Sequence, residues 1–313
     1  MSHVIFDIIS GKQVSKPEAF SLFDLSLEDL FYAATKIRKK YKGDHVKICS
    51  IVNAKSGRCS QDCKFCAQSV RHKTGVTVYP FLENSKIEET ANEMLQTAEC
   101  FGVVSSGHSL TDDEIDRLCE LLKKHNQSDR FSVSIGYISD ENLKKLKTAG
   151  LKKIHHNLET SKAFFPQICT THSYQERIDT LTRAKALGYK ICAGGLFGIG
   201  ESLEDRIDLA FTLKGLDVDS VPMNFLIPVK GTGLENQNPL SPVDILKTIA
   251  VFRIILQTAD IVICGGREVN LRDLQSMIFL AGASGTMSGG YLTVCGRNPD
   301  QDKQMIKDLG LEI

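Results

Sequence analysis

The chain has 313 residues, 42% of them hydrophobic, and its 38 basic side chains balance 38 acidic ones. That is enough chain for one large core or two ordinary ones. Zero formal net charge gives no electrostatic footprint for nucleic acid or an anionic membrane, and no apolar run reaches membrane-spanning length. Residues 1–10 lack the basic start and long apolar core of a secretion signal, and ten cysteines suit a reducing compartment, so a cytoplasmic protein is expected.

In chain order, Leu25–Tyr41 reads as a helix ahead of the main body, and Val46–Val52, rich in β-branched residues, as the first strand. Helices and strands then alternate. Helix Ile87–Glu99 precedes strand Phe101–Ser105, and helix Asp112–His125 precedes strand Phe131–Ile135. Helix Asp140–Ala149 precedes strand Lys153–Asn157, and helix Ser173–Ala186 precedes strand Lys190–Ala193. Thr111 with Glu114, and Ser173 with Glu176, form capping boxes; Gly150 and Gly188 mark helix ends. A Gly-rich stretch, Gly194–Gly200, leads to helix Ser202–Leu213, strand Ser220–Leu226 and helix Pro242–Leu256. Strand Ile261–Cys264, helix Leu271–Leu280 and strand Ala283–Met287 complete the series.

This repeat predicts an α/β fold, a closed (β/α)8 TIM-type barrel over residues 46–290. Residues 1–45 form a helical extension before it, and 291–313 a C-terminal segment packing on it. The competing architecture is an open doubly wound sheet, but no G-x-G-x-x-G follows the first strand.

The chemistry concentrates at Cys59, Cys63 and Cys66, a C-x3-C-x2-C run. Thiolates at such spacing hold iron–sulfur clusters. With no fourth Cys nearby, a 4Fe-4S cluster would keep one iron open for a small molecule. Zinc, with His72 as a fourth ligand, lacks a second cysteine pair; a disulfide knot suits a smaller secreted chain; a chance cluster is the remaining alternative. The run follows the first strand, which places it at the barrel face where active sites lie.

Other stretches carry a resemblance. They are Lys55-Ser56-Gly57, Cys63–Gln68, His156–Ser161, Tyr174–Arg177, Ala193–Glu201, Ser220–Phe225, Val229–Thr232, Gly265–Glu268 and Leu292-Thr293. Together with the cysteine run they make the chain resemble the biotin synthase family of the radical S-adenosylmethionine (SAM) superfamily. The resemblance implies a 4Fe-4S cluster whose open iron chelates SAM, radical hydrogen abstraction from dethiobiotin, and sulfur insertion from a second cluster. It implies that Phe65 packs near the adenine and that Asn157 bridges SAM and dethiobiotin. Glu159 is to bind the ribose hydroxyls and Arg177 the methionine carboxylate. Gly194 and Gly195 would let the cofactor approach the backbone, and Lys55 and Asn224 would bind the polar end of dethiobiotin. His155 stands where the family usually has Asn, and Glu159 where Asp is commoner.

Members of the family hold a 2Fe-2S auxiliary cluster on three Cys and an Arg. The corresponding positions here are Gly102, Ser132, Cys192 and Arg267, so two thiolates are missing. Side chains alternate along a strand. Cys49 therefore shares a face with Ile51, Asn53 and Lys55 and should point inward. Cys192 is inward by resemblance, and the direction of Cys264 is open because Gly265-Gly266 follows it. We expect an auxiliary 4Fe-4S cluster on Cys49, Cys192 and Cys264, completed by Arg267, Cys100 or substrate. The alternative is that these thiols are small buried hydrophobes. Cys119 and Cys169 read as structural or incidental, and Cys295 as a weaker ligand candidate.

The resemblance further implies a low-potential electron donor such as flavodoxin or ferredoxin, iron–sulfur assembly machinery and a homodimer. Competing functions are a relative of the hydrogenase-maturase-like or methylornithine-synthase-like groups, against which the Lys55 and Asn224 matches argue, and a non-catalytic iron–sulfur electron carrier. Carriers are usually small, with four cysteines per cluster.

Overall fold

The computed structural model describes residues 3–292 and 296–313. Thr293 and Cys295, part of one matching stretch and a candidate ligand, lie outside them. Helices α1 (His3–Ser10), α2 (Lys16–Ser21) and α3 (Leu27–Lys42) precede the barrel. There follow β1 (Lys47–Lys55), α4 (Asn84–Met94), β2 (Cys100–Ser105), α5 (Asp112–Lys124), β3 (Phe131–Ser134), α6 (Asp140–Thr148) and β4 (Lys153–His155). Next come α7 (Phe165–Ile168), α8 (Tyr174–Ala186), β5 (Lys190–Cys192), β6 (Gly195–Phe197), α9 (Leu203–Gly215) and β7 (Ser220–Phe225). The chain ends with α10 (Pro242–Ile255), β8 (Asp260–Ile263), α11 (Arg267–Leu271), α12 (Met277–Leu280), β9 (Gly285–Met287) and α13 (Pro299–Asp308).

The strands pair in the order β5-β4-β3-β2-β1-β9-β8-β7-β6, and Cys192 pairs with Ser220 to bring β5 onto β7 and close the ring. Since β5 and β6 are consecutive pieces of one barrel position, the architecture is the expected (β/α)8 barrel. Along β1 the alternation is clear: Ile48, Ser50, Val52 and Ala54 are buried, while Lys47, Cys49, Ile51, Asn53 and Lys55 are half-buried. The first set packs outward under the helices; the second faces the lumen, as alternation requires.

Local chemistry sets the helix starts. Both expected capping boxes form, Thr111 with Glu114 on α5 and Ser173 with Glu176 on α8. The helix expected to reach Glu99 stops at Met94, because the Glu99 N–H already donates to the Ile48 carbonyl of the sheet. The Gly-rich stretch is not wholly loop: Gly195–Phe197 form β6 on β7. The helix expected over Leu271–Leu280 is broken into α11, a 3-10 turn at Arg272–Leu274, and α12. Arg272 sits at φ 51°, a left-handed conformation that an α-helix cannot pass through.

Candidate active site at the barrel mouth

A cavity of about 410 Å³ opens at the C-terminal ends of the strands. Cys59, Cys63 and Cys66 all line it, and all three are free thiols. Their loop is shaped by its own backbone: Cys59 N–H donates to the Gln68 carbonyl, Val70 N–H to the Cys59 carbonyl, and Cys66 N–H to the Cys63 carbonyl. The Gln68 Oε1 accepts from Gly57 N–H at 3.1 Å. Gly57, at φ 73°, makes the entry turn. Burial pushes the Cys66 thiol up to about 11, and the hydrogen bond to Cys169, with burial, pushes Cys63 up as well. Iron reverses this preference by stabilising thiolates. His72 places Nδ1 2.9 Å from the Cys66 carbonyl oxygen, so it supports the loop backbone.

Next to the thiols lies a polar strip. Asn157, just past β4, accepts from Gly194 N–H at 3.1 Å through Oδ1, which also lies 3.0 Å from His155 Nε2. Its Nδ2 donates to Glu159 at 3.4 Å. Arg177 on α8 donates from Nη1 to the Asn157 carbonyl at 2.6 Å and stands 3.7 Å from the Glu159 carboxylate. Burial raises Glu159 against the pull of Arg177, and burial lowers His155 and His156, disfavouring the charged imidazole. Phe65, Asn157, Glu159 and Arg177 all line the cavity, so the residues expected to hold SAM are brought together beside the thiols.

Gly194 and Gly195, expected to let the cofactor approach the backbone, are also crowded by the barrel itself. A Cβ on Gly194 would lie 1.9 Å from the Pro222 carbonyl oxygen, and one on Gly195 2.5 Å from the Glu159 carbonyl oxygen. Here the close approach is between neighbouring segments of the barrel itself.

Deeper, Asn224 on β7 accepts from Gly265 N–H at 3.0 Å and lines the cavity. Cys264 also lines it, as does Met287, which settles the direction of Cys264. Burial, with Cys192 nearby, raises the Cys264 thiol. Cys49 packs with Cys264 and Met287. It is not a free thiol, however: Cys49 and Cys100, directly paired between β1 and β2, are joined as a disulfide. Gly102 and Ser132 pair in register, and a Cβ on Gly102 would meet Ile51 Cγ2 at 2.9 Å. Ile51 thus fills space that a side chain at that position would need.

Two expected contacts are committed elsewhere. Lys55 forms an ion pair with Glu114 at 2.7 Å and is not part of the cavity wall. Arg267, fully buried, pairs through Nη2 with fully buried Asp302 of α13 at 2.8 Å. Its Nε and Nη1 have no partner among the described residues.

Cys169 is more than incidental. Its Sγ lies 3.7 Å from Cys63 Sγ and 3.2 Å from His172 Nδ1. These three residues place a ligand atom each within 4.8 Å of one another. Arg177 sets the imidazole's role: its Nε and Nη2 lie 3.1 Å and 2.9 Å from His172 Nε2, which must accept. Nδ1 therefore carries the proton and donates toward Cys169 Sγ and the Gln61 oxygen 2.8 Å away. The legible signal was a Cys-x2-His spacing at 169–172.

Comparisons with known proteins agree with this geometry. The Radical SAM superfamily model matches residues 54–213, and the Biotin and Thiamin Synthesis associated domain matches 222–312. The chain is 64% identical over 313 residues to the biotin synthase of Endomicrobium trichonymphae, covering 100% of this chain and 98% of that one. It is 49% identical to the biotin synthase of Geotalea daltonii, covering 98% and 95%. In fold it is similar to a methylornithine synthase (TM-score 0.85, 20% identity, 99% and 96% covered). An FeFe-hydrogenase maturase from Carboxydothermus hydrogenoformans is also similar (TM-score 0.83, 17% identity, 98% and 77% covered). The latter two likenesses concern architecture alone. Matched along its whole length by these relatives, and carrying the three-thiol loop at the mouth of the barrel, the chain belongs to the biotin synthase family of the radical SAM superfamily.

Proposed function

We propose that this chain converts dethiobiotin to biotin, with SAM as the radical source and an auxiliary iron–sulfur cluster as sulfur donor. The observation that carries the reading is one continuous cavity, running from Cys59, Cys63 and Cys66 past Asn157 and Asn224 to Cys264 and Met287. Three free thiols on one loop fit a 4Fe-4S cluster with an open iron. That cluster, with SAM bound, supplies one-electron cleavage of a sulfonium bond and so a hydrogen-abstracting radical.

The side chains bind and orient. Arg177 offers a guanidinium to the methionine carboxylate, a charge-assisted pairing. Glu159 accepts from ribose hydroxyls, and Phe65 provides an apolar wall. Asn157, fixed by Gly194 N–H, sits between the two reactants and holds their separation. Asn224 meets the ureido end of dethiobiotin, while Lys55 reaches it only by leaving Glu114. Among the described residues no helix is long and apolar enough to cross a membrane.

Cys49, Cys192 and Cys264 are our choice of ligands for an auxiliary 4Fe-4S cluster. Support comes from the packing of Cys49 against Cys264 and from Arg267 Nε and Nη1, unpartnered among the described residues, donors that a sulfide could engage. The Cys49–Cys100 bond must first accept two electrons from a dithiol, as a reducing cytoplasm provides. A low-potential donor such as flavodoxin or ferredoxin, iron–sulfur assembly proteins and a homodimeric state complete the proposal.

Anaerobic incubation with dethiobiotin, SAM and reductant tests the activity: biotin should form. Deoxyadenosine without biotin or a thiol intermediate would move the chain to the chemistry of its maturase-like or methylornithine-synthase-like neighbours. Iron counting tests the second cluster. A Cys192→Ala, Cys264→Ala double variant should lose about four irons per chain relative to the parent, and an unchanged count rejects it.

A further inference from the structure

Cys169 has no part in the proposed reaction, yet its surroundings are built around its sulfur. Both residues flanking Cys63 are hydrogen-bonded to residues flanking Cys169. Lys64 N–H donates to the Ile168 carbonyl at 2.9 Å. The Asp62 carboxylate accepts from Thr170 N–H at 2.9 Å and from Thr171 N–H at 3.2 Å. These clamps, one on each side, face the two sulfurs toward each other at 3.7 Å. A bond at about 2.05 Å requires the two sulfurs to close from that separation. Cys63 lines the cavity, whereas Cys169 is 3% exposed behind it. Around Cys169 Sγ, His172 Nδ1 lies 3.2 Å away and the Asp62 carboxylate oxygen 3.3 Å away, which fixes the position of the sulfur.

We propose that Cys63 and Cys169 form a reversible disulfide when the chain has lost its cluster, a stored state that protects a ligand sulfur from irreversible oxidation. The proposal rests on Cys63 being a cluster ligand, because only then does iron normally occupy this sulfur. The oxidant is a peroxide. Cys63 sulfur attacks one peroxide oxygen, the O–O bond breaks, and Cys63 becomes a sulfenic acid while the other oxygen leaves as water. Cys169 thiolate then attacks Cys63 sulfur, forming S–S and breaking S–O. The expelled hydroxide takes up the proton that Cys169 released. In sum, two thiols lose two electrons and two protons, and the peroxide becomes two waters. A dithiol of the thioredoxin class returns the two electrons before iron can be reloaded.

The experiment uses the full chain, reconstituted anaerobically and then stripped of iron with a chelator. After one equivalent of hydrogen peroxide and alkylation, peptide mapping without reductant should show Cys63–Cys169 as the dominant cross-link at Cys63, reversed by thioredoxin and separate from the Cys49–Cys100 bond. Cys169→Ser should show none at Cys63, with several-fold more sulfinic and sulfonic acid there. A dominant cross-link from Cys63 to Cys59 or Cys66 in the parent overturns the proposal. So does a lower iron content in reconstituted Cys169→Ser, which would make Cys169 a ligand instead. Cross-linking of the iron-replete chain without iron loss would remove Cys63 from the cluster, and would overturn the reading underneath.

Discussion

Asp302→Ala tests how the C-terminal helix holds the barrel. Asp302 and Arg267 are both fully buried, with Nη2 2.8 Å from Oδ1. Removing the carboxylate leaves a guanidinium in the interior. Breaking a buried pair from one side typically costs about 3–5 kcal/mol, mostly the penalty of the stranded charge. The value here belongs near the low end, because Glu268 remains 3.1 Å from Arg267 Nη2 and its side chain is 23% exposed. We therefore expect a loss of about 3 kcal/mol in equilibrium urea unfolding. The companion variant Arg267→Met/Asp302→Leu removes both charges and should recover most of it, since an apolar replacement of a buried pair is often neutral. If the double variant loses as much stability as Asp302→Ala, or more, the stranded charge is not the source of the loss and the reasoning fails.

Lys55→Met should cost about 1–3 kcal/mol at pH 7 by stranding the Glu114 carboxylate. Burial raises Glu114, but Lys55 and the Thr111 N–H outweigh it and hold the group below its ordinary value. The stability from this pair is thus present above about pH 4.3 and lost as pH falls below it; the gap between parent and variant, read by urea unfolding across pH, should close in acid. Gly194→Ala drives a Cβ to 1.9 Å from the Pro222 carbonyl. An overpacking cost of about 1–3 kcal/mol should appear as a melting point lower by roughly 2–5 °C, and an unchanged melting curve would show that the break between β5 and β6 is pliable. Arg177→Lys removes a planar donor fork from the polar strip. SAM affinity, followed by perturbation of the cluster's absorption, should fall about tenfold; an unaltered affinity would place the methionine carboxylate elsewhere.

The barrel is legible in the sequence because its signals are local. Thr111 and Glu114, or Ser173 and Glu176, lie one helical turn apart, and both boxes form. The inward direction of Cys49 follows from simple alternation along β1. The three-thiol loop is readable because its ligands lie within eight residues. The unread features depend on distant chain. Lys55 finds Glu114 59 residues away, and Cys63 finds Cys169 106 residues away. No pattern in one segment announces either meeting. The break at Arg272 was hidden because a positive φ at a non-glycine residue leaves no mark in composition. The crowding at Gly194 and Gly195 was unread for the same kind of reason: the atoms that crowd them belong to Pro222 and Glu159, on other segments.

The bond from Lys64 N–H to the Ile168 carbonyl has a bearing on how the molecule is made. During synthesis on the ribosome the thiol triplet emerges well before the segment that braces it. For that interval the nascent loop has its own backbone bonds but lacks the brace from Ile168. The braced form of the loop therefore belongs to the finished polypeptide, after contacts of long sequence separation have closed.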